Sequence, residues 1–142
     1  MPIIPATPYR LKNVASGNVM AESTGWTHNN GLFAYGGDQQ ANDQLWVFVL
    51  YEGYYKITNY NYLGWVIANT PGNICVYSGD DNDDQHWQID GSGGSDNYIT
   101  IFQNGNAIID PNPGGSNGSL GTAPVASHDN RAVWMAIAEP IG

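Results

Sequence analysis

The sequence predicts an all-β fold built from three four-stranded units around a pseudo-threefold axis. Three observations carry this expectation. Trp46, Trp87 and Trp134 each open an apolar run, WVFVL, WQI and WMAIA. A second apolar run precedes each of them at matched distance, with Leu32 and Leu120 fourteen residues ahead of their Trp and Ile74 thirteen. The composition, with 18 Gly among 142 residues and 12% charged side chains, is rich in turn formers and poor in helix formers, which favours many short strands.

The elements recur in one order. A Tyr-led strand opens each unit: YRLKN from Tyr9, YKITN from Tyr55 and YITIF from Tyr98. A short Gly- or Asn-containing turn leads into a second strand, GNVMAE (17–22), GWVIAN (64–69) or GNAIID (105–110). After a loop of Gly, Asn or Pro comes a third strand, LFAYGG (32–37), ICVYSG (74–79) or SLGTAPV (119–125), and the Trp-led strand closes the unit. The repeat is about 44 residues long. The unit limits fall near 9–50, 51–93 and 94–138, and the chain, 1–142, reads as one domain.

Twelve strands of three to six residues cannot stand alone as hairpins, so each unit has to bury its apolar face against the other two. A propeller shares this repeat length but needs at least four blades. Six strands closing a short barrel, with six more capping it as hairpins, use the pattern without leftover sequence.

Thirteen acids against four bases give a formal charge of -9. That balance argues against nucleic acid and anionic lipid as partners. A neutral ligand, held by hydrogen bonds and an aromatic face, is compatible with it. No run approaches the length of a membrane span, and MPIIPATPY lacks the basic flank and apolar stretch of a secretion signal. The expectation is a cytoplasmic protein. The one cysteine, Cys75, lies in the apolar stretch NICVYS and reads as a buried structural thiol. The acceptor pattern NGS at Asn117 carries little weight without an export signal.

Gln44 and Gln85 stand two places before Trp46 and Trp87, and Ala132 takes that place before Trp134. Residues two apart on a strand point the same way. On that reading the Gln folds back over the face the indole enters and bonds the backbone of the neighbouring turn. The triple pattern, the Gln-x-Trp and the opening YRLKNVASGNV resemble the β-trefoil domains of the ricin-B type, and among them the small acidic lectins of mushrooms; the resemblance runs from Tyr9 to about Ile137. That group also includes protease inhibitors and partner subunits of enzymes.

The resemblance places a sugar pocket around an acid at the end of the second strand, an aromatic in the third, and an Asn directly before the Gln. Such a set suits a saccharide, whose flat C–H face takes an aromatic platform and whose hydroxyls take a carboxylate or amide. In the first unit these positions fall on Glu22, with Phe33 and Tyr35 in the third strand, and on Asp43 before Gln44, with Asn42 as a stand-in for the missing Asn. Glu22 fits only with a one-residue shift, because the family acid would fall on Ala21. The second unit offers Asn69, Tyr77, and Asp84 before Gln85; the third has Asp110 but Thr122 and Ala123 in place of the aromatic, and Arg131 in the Asn place. In the first and third units a structural reading competes: a solvated strand end for Glu22, a loop wall for Tyr35, a turn cap for Asp110.

Other chemistries find less support. DDNDD (80–84) fails the EF-hand spacing, with Gln85 where Gly is needed and Gly91 where Glu is needed, and reads as a solvated acidic turn. His28, His86 and His128 are far apart and have no ligand company for zinc or a triad. Trp26, in STGWTHNNG, has no counterpart in the other units; it either caps the barrel mouth or is exposed for a partner or a sugar. The expected function is a non-catalytic lectin for a neutral glycan of galactose or N-acetylgalactosamine type, with mannose next, requiring no cofactor and no metal. Its partners would be glycans or glycoproteins, with a second copy of the chain or a protein partner as further options. The alternative is a protein-interaction module, either a protease inhibitor or a lectin-like subunit of an enzyme complex.

Overall fold

The computed structural model describes residues 7–22, 30–36, 44–60, 65–70, 73–78, 83–91, 97–111, 118–124 and 130–139. The Trp-led strands are β5 (Trp46–Tyr51), β9 (Gln88–Gly91) and β14 (Trp134–Ala138); the strands that open the units are β1 (Pro8–Asn13), β6 (Tyr54–Asn59) and β10 (Tyr98–Gln103). These six close a barrel. β1 pairs with β5, β5 with β6, β9 with β10 and β10 with β14, and β14 returns to β1. The remaining seam, β6 to β9, is a single bridge in which Tyr55 and Trp87 exchange backbone bonds of 2.8 and 2.9 Å. Arg10 and Glu139, each about a tenth exposed, form an ion pair beside the β1–β14 seam.

Hairpins cap one end. The second strands β2 (Val19–Ala21), β7 (Trp65–Thr70) and β11 (Asn106–Ile109) pair with third strands, of which β8 (Asn73–Ser78) is continuous. The other two are split, into β3 (Asn30–Gly31) and β4 (Phe33–Tyr35), and into β12 (Gly118–Ser119) and β13 (Gly121–Pro124). The splits fall at Leu32 and Leu120. There the chain leaves its own hairpin to bond its neighbours: Leu32 N donates to Ile74 O at 2.9 Å, and Leu120 N to Leu32 O at 3.1 Å. Leu32, Ile74 and Leu120 are all buried, so the three matched aliphatic positions of the sequence meet where the hairpins converge.

The indoles show the threefold repeat at atomic level. Trp46, Trp87 and Trp134 are fully buried, and their Nε1 atoms donate to the carbonyls of Met20, Ile67 and Ile108 at 3.0, 2.9 and 3.0 Å. Burying an indole contributes up to about 4–6 kcal/mol at 25 cal/mol per Å² over 150–250 Å², provided the N–H finds an acceptor. Here each one does. Below them the barrel packs Tyr9, Leu11, Ile57, Ile99 and Ile101. The position two residues after each Trp holds Phe48, Ile89 or Ala136, and the large Phe48 meets Tyr9 and Tyr55 edge-on at 5.9 and 6.2 Å. Unequal side chains at equivalent sites thus fill one continuous core.

One expected register is corrected. Tyr9 and Tyr55 sit opposite Trp46 and Trp87, but the residue opposite Trp134 is Ile99. Tyr98 pairs with Met135 and is only half-buried. A one-residue slip exchanges the two faces of a strand, and the buried alternation of Ile99 and Ile101 fixes it. The equivalent of Tyr9 is therefore Ile99, and that of Asn13 and Asn59 is Gln103.

Candidate functional site

The same registers align the sequence-predicted site residues. Lys12–Val19, Thr58–Val66 and Phe102–Ala107 are matching pairs between first and second strands. Val19, Val66 and Ala107 in turn face Tyr35, Tyr77 and Ala123. Two places beyond the carbonyl that receives each indole come Glu22, Asn69 and Asp110, so the shifted position expected for Glu22 is the one all three units share.

The turn that carries the Gln differs from expectation. Gln85 ends a 3-10 turn, Asp83–Gln85, and Ala132 ends its counterpart, Asn130–Ala132. It lies ahead of the strand, so the two-residue alternation that would lay the Gln over the indole's face does not apply. Gln44 and Gln85 are both 1% exposed, yet neither Nε2 nor Oε1 of Gln85 has a hydrogen-bond partner. Cross-unit bonds are made from the end of the first strand. Asn13 Nδ2 donates to Arg131 O at 2.7 Å, and Gln103 Nε2 to Asp84 O at 3.0 Å. Sequence reasoning missed this tie because Asn13, Asn59 and Gln103 align only after the register of β10 is corrected.

The three units then diverge. In the first, Glu22 is buried while Phe33 and Tyr35 are half-buried on the hairpin face turned away from Ala34 and the core; Asn42 and Asp43 lie outside the described residues, as do Trp26, His28 and His128. In the third, Asp110 is 1% exposed, and its Oδ2 accepts a bond from Asn18 Nδ2 at 3.0 Å across the unit boundary. Its N–H donates to Arg131 O at 3.1 Å. Ala123 supplies no aromatic platform, and Ala132 packs with Ala107 and Ile109 in a small apolar cluster. Asp110 is thus hydrogen-bonded across the unit boundary.

The second unit is different in kind. Asn69 and Tyr77 are half-buried, and β7 packs against the turn that carries Asp84 and Gln85. Asn69 Oδ1, Asp84 Oδ1, Gln85 Oε1 and Gln85 Nε2 are all buried, and none has a hydrogen-bond partner. A buried polar atom left unpaired costs about 1–3 kcal/mol, so four around one turn call for an explanation. Asp83, next to them, is fully exposed, as the acidic-turn reading expects of this end of the run. Cys75 is buried with its Sγ 3.8 Å from Ala68 O. Among the described residues no three metal-ligating side chains gather, and no helix is long and apolar enough to cross a membrane.

Neither a family model nor a curated protein matches the chain; solved structures do. A designed threefold-symmetric protein, ThreeFoil, superposes with a TM-score of 0.78 at 20% identity, covering 92% of this chain and 97% of that one. The chain is a β-trefoil. The ricin B-like lectin of Macrolepiota procera, solved in complex with lactose, matches this β-trefoil with a TM-score of 0.77 at 15% identity, covering 98% of this chain and all of the lectin. A proteinase inhibitor from Coprinopsis cinerea matches with a TM-score of 0.74 at 13% identity, over 96% and 99% of the two chains. In two longer proteins, a mosquitocidal holotoxin and an exo-β-1,3-galactanase from Clostridium thermocellum, the matching region is only 18% and 31% of the whole. At these identities the likeness establishes the architecture, which lectins, toxins, inhibitors and glycosidases share.

Proposed function

We propose that this β-trefoil is a non-catalytic carbohydrate-binding module that takes a neutral glycan at its second unit, through Asn69, Tyr77, Asp84 and Gln85. The observation that carries the reading is the group of unpartnered buried atoms there, three oxygens and one amide nitrogen. A hydroxyl both donates and accepts, so a sugar admitted by a shift of these side chains can answer donor and acceptors alike, where a cation or an anion would answer only one kind. Tyr77, half-buried on the strand that pairs with the one carrying Asn69, offers a ring for the sugar's C–H face. The lactose bound by the Macrolepiota procera lectin makes a galactoside the first probe, followed by N-acetylgalactosamine and mannose. A glycan array read with the wild type and with Tyr77→Ala and Asp84→Ala tests the reading. The expected result is a saccharide signal that both substitutions remove, and an array silent at high protein concentration overturns it.

A second reading, a protein-interaction module, is favoured by the β5–β6 hairpin. Val49, Leu50, Tyr51 and Tyr54 are 43, 58, 39 and 40% exposed around its tip. A turn with Glu52 and Gly53 at φ of 49 and 85° holds that tip in shape. Inhibition of any serine or cysteine protease at micromolar protein, lost on Leu50→Ser, would decide for this reading.

A further inference from the structure

The seam between β6 and β9 leaves a groove that the repeat pattern does not announce. β9 pairs along its whole length with β10, Gln88 to Phe102 through Gly91 to Ile99, but meets β6 only where Tyr55 bridges Trp87. Beyond that bridge the two strands part. The space between them is a concavity of about 310 Å³ bordered by Gly53, Gln88, Asp90 and Phe102. A second hollow of about 280 Å³, on the other side of Gln88, is lined by Tyr54, Asp83, His86, Gln103 and Asn104. Each is near the lower end of the 300–1,000 Å³ typical of small-ligand sites, and Gln88 belongs to both.

The walls are set before any ligand arrives. Tyr54 stacks on His86 with ring centroids 5.0 Å apart and planes 21° from parallel. His86 is held from behind, because its carbonyl accepts Gln103 Nε2 at 3.2 Å, and Tyr51 lies 6.1 Å from its ring. Tyr54 nevertheless remains 40% exposed. The amides of Gln88 and Asn104 and the fully exposed carboxylate of Asp83 line the same hollow as this platform, so it offers both donors and acceptors. No Lys or Arg is among the described residues lining either hollow, which with a net charge of -9 disfavours an anion.

We infer that this groove is a second saccharide subsite, with Tyr54 as the platform for one ring and the β9 side of Gln88 as the place of the next, so that it takes at least a disaccharide. The inference rests on the carbohydrate-binding reading but not on the second-unit pocket. Asp84 and Gln85 carry the buried, unpartnered atoms of the second unit, whereas Asp83, His86 and Gln88 line the groove.

Nuclear magnetic resonance on the ¹⁵N-labelled full chain separates the two. Lactose and methyl α-mannoside are titrated to tens of millimolar, above the roughly millimolar dissociation constant of a shallow site. The expected result is a saturable shift of the Gln88 and Asn104 side-chain amides that persists in Tyr77→Ala and weakens about five- to tenfold in Tyr54→Ala. Gln88→Ala, at an exposed position, is expected to lose the Asn104 shift without change in stability. Groove resonances that stay still while those of Asn69 and Gln85 move would overturn the subsite and leave the proposed function standing. Stillness of both sets with both sugars would overturn both, and a shift that Tyr54→Ala leaves unchanged would overturn the role of the platform.

Discussion

Asn13 donates its side-chain amide to the carbonyl of Arg131, 118 residues away, at 2.7 Å. The same side chain accepts the N–H groups of Ala15 and Ser16 at 3.0 and 3.1 Å, so one buried amide organises the turn after β1 and ties it to the last unit. Asn13→Ala removes these bonds and leaves the N–H groups of Ala15 and Ser16 without this acceptor, while Arg131 O keeps its bond from the Asp110 N–H. A loss of about 2–4 kcal/mol is expected, read as a lower urea midpoint at unchanged slope. Asn13→Asp keeps the acceptor but loses the donor, and should recover part of the loss.

Equivalent indoles should have equivalent energies. Trp46→Phe, Trp87→Phe and Trp134→Phe each shrink a buried side chain and leave one carbonyl, that of Met20, Ile67 or Ile108, without its donor. Each is expected to cost roughly 2–4 kcal/mol, and the three values to agree within about 1 kcal/mol. Denaturant unfolding of the three variants checks this, and one substitution that costs nothing would break the equivalence.

The Gln place of the third unit has changed character as well as residue. Ala132 is 7% exposed and packs with Ala107 and Ile109, while the turn around it is tied by Asn13 and Asp110 through Arg131 O. Restoring the repeat with Ala132→Gln would force a longer, polar side chain into that cluster. The expected effect is destabilisation by about 1–3 kcal/mol, shown by thermal unfolding; a gain in stability would mean that the cluster leaves room for the amide.

Binding at the second unit should show the signature of a neutral ligand. With hydroxyls rather than charges as the recognised groups, affinity should change by less than about twofold between low salt and high, because screening acts on charges. Isothermal titration of the strongest glycan from the array at two ionic strengths measures it. A steep fall with salt would point to an ionic ligand instead. Tyr77→Ala should abolish the heat while the chain still unfolds in one cooperative denaturant transition.

The sequence made the core legible because burial repeats: Trp46, Trp87 and Trp134, and Leu32, Ile74 and Leu120, could be matched by spacing alone, and they meet as matched. What it hid depends on pairing. Tyr98 imitates Tyr9 and Tyr55 at the head of a strand, and only the ladder to β14 puts Ile99 in their place. Gln85 was readable as a repeated residue, but its position on a 3-10 turn, which removes it from the strand's alternation, was not. Glu22, Asn69 and Asp110 occupy equivalent positions of the three units, yet whether each is spent on a neighbour, as Asp110 is on Asn18, depends on residues of other units. The groove beside Gln88 comes from a ladder that stops after one bridge, a property of two strands about thirty residues apart that neither run of residues displays.

Cys75 gives a last check, on the hairpins that cap the barrel. It lies on β8 opposite Ala68, is fully buried, and its Sγ is 3.8 Å from Ala68 O. Gly31 pairs with it across the unit boundary, so exposing the thiol requires the first and second units to separate. The thiol should therefore resist a disulfide reagent at neutral pH and react at the rate of opening once denaturant is added. If the cap and barrel unfold together, the opening free energy from thiol labelling will equal that from tryptophan fluorescence. Labelling that runs several kcal/mol easier than global unfolding would instead show that the cap opens on its own.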